Sequence, residues 1–88
     1  MKFHLFDNHA IISGINPEDI KAQLLKEGEV SDNFKRFAKN TPLGRVEAYL
    51  TWGETDVGIE VTKTPVFVSS NRVYMEIKGM VEKAAKKG

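Results

Sequence analysis

With 88 residues, 41% hydrophobic and 28% charged, the chain has the composition of one ordinary globular domain, too small for a second core or a deep cofactor cavity. Thirteen basic against twelve acidic residues leave a net charge of +1, which excludes the strong positive field of most polyanion binders, and the lack of cysteine excludes disulfides, zinc–thiolate sites and iron–sulfur clusters. No run of about 18 apolar residues occurs, and Asp7, Asn8 and His9 interrupt the first apolar stretch, so the expectation is a soluble cytoplasmic protein with no membrane span, no secretion signal and no need of an oxidising compartment.

Lys2 to Phe6 and Ala10 to Ser13 are short apolar runs joined by Asp7-Asn8-His9, residues that suit a chain reversal, and they predict a β-hairpin. Asn16 then offers an N-cap, Pro17 stands at the first helical position, and Glu18 and Asp19 place acids in the first turn. The helix runs over about 17–27, with Ile20, Leu24 and, more peripherally, Leu25 on its apolar side and Gly28 ending it. Ser31 or Asp32 can cap a second helix over 31–39, where Phe34, Phe37 and Ala38 fall at i, i+3 and i+4; Pro42 lies beyond its end.

From Arg45 the period changes to two. Val46, Ala48, Leu50 and Trp52 alternate with Arg45, Glu47, Tyr49 and Thr51, and Val57, Ile59 and Val61 alternate with Gly58, Glu60 and Thr62. These are two half-buried strands reversed by Gly53 to Asp56, with Trp52 on the apolar face. Thr64-Pro65 marks a turn, and Val66-Phe67-Val68 reads as a short strand. Residues 72–87 fit two patterns. Val73, Met75 and Ile77 alternate as in a strand, while Val73, Ile77, Val81 and Ala84 share one helical face; a strand to Lys78 followed by a short helix is preferred over one continuous helix.

The expected fold over 1–88 is thus a single α+β domain. Its sheet is mainly antiparallel, an N-terminal hairpin plus a central β-meander, packed by two consecutive helices and followed by a short C-terminal helix. Phe34, Phe37, Phe67 and Trp52 belong to its core.

Chemistry-bearing groups are sparse. His4, Asp7 and His9 could supply three zinc ligands across the first hairpin, but no fixed fourth ligand accompanies them, and the turn chemistry of Asp7-Asn8 explains their presence. Glu54, Asp56 and Glu60 could form an acid–base pair only if one were desolvated, and a hairpin loop is normally wet. Ser13, Ser31, Ser69 and Ser70 lack any nucleophile-elbow pattern, and no phosphate-loop, dinucleotide or H-E-x-x-H signature occurs. No catalytic residue, metal or cofactor is therefore assigned.

Two binding functions remain. Tyr49 and Tyr74 alternate out of phase with the apolar residues and, with Arg45, make a rigid aromatic and arginine set suited to holding a protein partner on an exposed sheet face. That describes a small non-enzymatic module, an accessory or inhibitory factor; a homodimer through the same face would bury the set equally well. The alternative is nucleic-acid binding, by Lys35, Arg36 and Lys39 of the basic helix 31–39 with Lys83, Lys86 and Lys87 of the lysine-rich C-terminus.

Thr51-Trp52-Gly53-Glu54 ahead of an alternating strand, with Lys63-Thr64-Pro65 further on, resembles the tryptophan–glycine–acid turn and the later threonine–proline turn of a small prokaryotic cyclophilin-like family of unassigned activity. The resemblance implies a barrel-type sheet, of which this chain is long enough for only a miniature version. It assigns no functional residue.

Overall fold

The computed structural model describes residues 1–85. Alternating apolar and polar residues build a six-stranded antiparallel sheet from β1 (Lys2–Leu5), β2 (Ala10–Ser13), β3 (Glu29–Ser31), β4 (Arg36–Thr41), β5 (Gly44–Trp52) and β6 (Asp56–Lys63). Helix α1 (Pro17–Glu27) crosses from the N-terminal hairpin to β3, and α2 (Ser70–Ala85) follows β6. The spatial order is β1-β2-β6-β5-β4-β3, so the meander β3 to β6 is extended on its β6 side by the hairpin, with Ala10 opposite Ile59 and Ile12 opposite Val57.

Both helices lie on the same face of the sheet. Ile20 and Leu24 of α1, and Val73, Ile77, Val81 and Ala84 of α2, join Ile12, Phe37, Leu50, Val57 and Ile59 in one buried cluster. The start of α1 is held as its residues predict, with Asn16 Oδ1 accepting the Glu18 N–H at 3.1 Å and Pro17 opening the helix. At its other end the Gly28 N–H donates to the Leu24 carbonyl at 3.0 Å. The helix end approaches β4 so closely there that any Cβ at position 28 would run into the Ala38 carbonyl.

The α+β class, antiparallel sheet, N-terminal hairpin, meander and C-terminal helix stand as expected, while three segments differ from their predicted form. Residues 31–39 are not helical. Asp32, Asn33 and Phe34 all adopt left-handed φ, at 52°, 54° and 66°, and turn β3 back into β4. Asp and Asn tolerate that region; Phe34 is held in it by a distant group, its carbonyl accepting the Trp52 indole N–H at 2.7 Å. The Lys21 ammonium sits 5.4 Å from the Phe34 ring and 5.1 Å from the Trp52 ring, tying α1 to the same turn. The helices are therefore not consecutive. Of the three residues that suggested a helical face, Phe37 is buried opposite Ala48 while Ala38 points the other way.

Residues 66–68 do not form a strand. Val66 and Phe67 stand exposed in the loop before α2, with Phe67 at a φ of 69°, so Phe67 is no part of the core. The last segment is one helix from Ser70 to Ala85, and the strand over 73–78 is absent. A strand there would have used three apolar residues; the helix brings Val73, Ile77, Val81 and Ala84 to bear on the sheet together, and Tyr74 with them. Lys86 and Lys87 lie outside the described residues. The sheet keeps two free edges, β1 and β3, and is not closed into the barrel that the cyclophilin-like resemblance implies.

Candidate protein-binding face

Side chains in a strand alternate, so the residues out of phase with the core line the face that the helices leave open. On β3 these are Glu29 and Ser31, on β4 Arg36, Ala38 and Asn40, on β5 Arg45, Glu47 and Tyr49, and on β6 Glu60 and Thr62. All of these but Asn40 and Glu60 line a shallow concavity of about 820 Å³. Its curvature has a local source. Glu47 pairs with Lys63 and Ala48 with Val61, leaving Thr62 as the extra residue of a β-bulge, a device that bends and twists a strand pair.

Tyr49 stands near the middle of this face, 41% exposed, between Arg36 on β4 and Glu60 on β6, its directly paired neighbours. The Arg36 guanidinium lies 4.8 Å from the Tyr49 ring centroid, within cation–π range. Arg45 is fixed by three acceptors: Glu29 Oε2 at 2.8 Å, Glu47 Oε2 at 2.9 Å and Asn40 Oδ1 at 3.0 Å. The hydrogen bonds to Glu47 and then to Glu29 push the guanidinium pKa above its ordinary value. Arg36, Arg45 and Lys63 stand against Glu29, Glu47 and Glu60, so the face is charged and close to neutral in sum.

Of the three residues expected to anchor a partner, Tyr49 and Arg45 meet here and Tyr74 does not. Tyr74 is 2% exposed on the sheet-facing side of α2, across the sheet from the open face. Its hydroxyl accepts the Val61 N–H at 3.0 Å and donates to the Asn8 carbonyl at 3.2 Å, fastening the first hairpin and β6 to the helix. Tyr74 is a structural clamp. Arg36 takes the place beside Tyr49 instead; a helical reading of 31–39 hides it, whereas a period of two from Arg36 to Asn40 would have put it in phase with Ala38.

The basic residues proposed for nucleic acid divide between regions. Arg36 is on the open face, and Lys35 sits in the β3–β4 turn, where its N–H donates to the Asp32 carbonyl at 3.0 Å. Lys39 lies on the helix side, its ammonium 3.1 Å from Glu27 Oε1, and Lys83 adds positive charge near the same carboxylate. Glu27 also accepts from Gln23 Nε2 at 2.9 Å. That bond first, and the Lys39 bond second, hold its carboxyl below the ordinary carboxylate range. Lys39 and Lys83 thus face an acid, and no single basic patch forms among the described residues.

His4 is exposed on β1, and His9 stacks on Phe6 with ring centroids 4.6 Å apart, its Nδ1 2.7 Å from Asn8 Oδ1. Among the described residues no three His, Asp or Glu side chains gather as metal ligands, and no helix is long and apolar enough to cross a membrane. Glu54 lies in the β5–β6 loop and Asp56 opens β6, the loop being closed by the Gly53 N–H to the Asp56 carbonyl at 2.9 Å, while Glu60 lies along β6 on the open face. Comparison with known protein families, with curated proteins and with solved structures finds no match to this chain.

Proposed function

We propose that this protein is a small non-enzymatic binding module, an accessory or inhibitory factor, that holds a protein partner on its open sheet face. The observation that supports this is the half-exposed Tyr49 stacked with Arg36 at the centre of a concave face. Tyrosine and arginine on a rigid scaffold are the side chains that most often dominate the energy of protein interfaces. The alternation of both charge signs suits a partner surface that is itself of mixed charge, because complementary pairs fix orientation and like charges exclude wrong partners. A polyanion would meet Glu29, Glu47 and Glu60 as well as the arginines, and it gains nothing from that balance.

The test is comparative affinity capture from the native cell extract, with retained proteins and nucleic acids both identified. Wild type is set beside Tyr49→Ala/Arg36→Ala and beside Leu25→Ala, an exposed position on α1. Proteins retained by wild type and by Leu25→Ala but lost from the double variant support the reading. Retention that the double variant leaves unchanged, or retention of nucleic acid alone at about 50 mM salt, where phosphate contacts are strongest, overturns it.

A further inference from the structure

At the end of the molecule where β4 turns into β5 and β6 runs on towards α2, the surface is apolar. Leu43 is 64% exposed, Val66 76%, and Phe67 as fully as a residue in an extended chain. Phe67 is also held in the left-handed region at a φ of 69°, which a bulky side chain enters only when its surroundings impose it. The imposing contacts are close by. The Val68 N–H donates to the Pro65 carbonyl at 3.1 Å, and the buried Pro65 packs on Gly44, itself at a φ of 138°, where an added Cβ would come within 3.0 Å of the proline ring. The loop is thus braced in a shape that keeps the phenyl ring off the body of the protein.

Next to it lies a groove of about 310 Å³ whose apolar lining is Pro42, Leu43, Val46, Pro65, Val68 and Val73, with Lys39, Asn40 and Thr41 completing its β4 side. Cavities of roughly 300 Å³ and above accept small organic groups, and Phe67 does not line its own groove. Arg72 and Glu76, one turn apart on α2, also line the groove, and neither takes part in an ion pair among the described residues.

A two-fold interface requires a patch that is complementary to itself. This one carries a projecting ring and an apolar groove side by side, with one unpaired charge of each sign on a single helix. We infer that a second copy of this chain docks here: Phe67 of each copy enters the groove of the other, and Arg72 of each meets Glu76 of the other as the two α2 helices run antiparallel. Tyr49 and Arg36 take no part in this contact, so the dimer presents two open sheet faces. The pairing is independent of what those faces bind.

Sedimentation equilibrium of the full chain from micromolar to near-millimolar concentration tests it. Wild type is expected to pass from monomer to dimer. Phe67→Asp, at an exposed position, is expected to leave the circular dichroism of the fold unchanged and should weaken the dimer by about tenfold or more, equivalent to about 1.4 kcal/mol. Arg72→Glu and Glu76→Arg should each weaken it, and the two combined should restore it, since each new charge then meets its opposite. A wild type that stays monomeric throughout, a Phe67→Asp dimer of unchanged strength, or a double swap no better than the single ones overturns the inference.

Discussion

The helix-covered face of the sheet and its open face are drawn from alternate residues of the same strands, yet they do different work. Ile12, Phe37, Ala48, Leu50, Val57 and Ile59 meet two helices and carry the burial that stabilises the domain. One position along each strand, Arg36, Arg45, Glu47, Tyr49 and Glu60 meet solvent. The two tyrosines show the difference most plainly. Tyr74 satisfies two backbone groups inside the protein, while Tyr49 touches an arginine and water. Stability lies with one face, which leaves the chemistry of the other free to be set by what it meets.

Neighbouring isoleucines offer the hardest test of that division. Ile12→Ala removes a fully buried side chain and should cost about 2–5 kcal/mol in urea unfolding. Ile11→Ala, on the open side, should cost about 1 kcal/mol or less. Equal losses would mean that the open face is part of the core. Tyr74→Phe comes next. Without its hydroxyl the Val61 N–H and the Asn8 carbonyl lose their partner, at about 1–3 kcal/mol, whereas Tyr49→Phe should shift the urea midpoint by the equivalent of about 0.5 kcal/mol at most.

Glu27 gives the covered side a pH dependence. Its folded-state pKa is below the ordinary 4.5. The stability it contributes is therefore complete above the unfolded value and is lost as pH falls through the lower folded value. Glu27→Gln should cost about 1 kcal/mol at neutral pH, as removal of one partner of an ion pair commonly does, and should flatten the acid limb of urea midpoints measured across pH. A limb equally steep in the variant would assign it to other carboxylates. A small change in stability, within about 1 kcal/mol, is expected from Tyr49→Ala/Arg36→Ala, even though this variant should lose partner capture.

Much of this architecture is written locally. Asn16-Pro17-Glu18-Asp19 marks the start of α1 because cap, ring and acids each act within a few residues, and the two-residue period of β5 and β6 gives both the hairpin and the inward place of Trp52. The segment 31–39 misleads because its decisive interaction is remote: Phe34 is kept left-handed by an indole N–H eighteen residues further on. Arg36 was hidden with it. The C-terminal segment carries helical and strand periods at once, and only the sheet's need for a second cover selects the helix, turning Tyr74 inward. Phe67 looked like core because it sits between two valines, and nothing within its own loop signals that Pro65 and Gly44 hold it away from the body.

Trp52 touches three separately formed parts of the fold: its own strand, the β3–β4 turn through the Phe34 carbonyl, and α1 through the Lys21 ammonium. As the chain's single tryptophan, it makes the protein its own spectroscopic probe. Indole emission responds to the nearby cation and to the hydrogen bond, so it reports the moment at which the meander closes against the first helix.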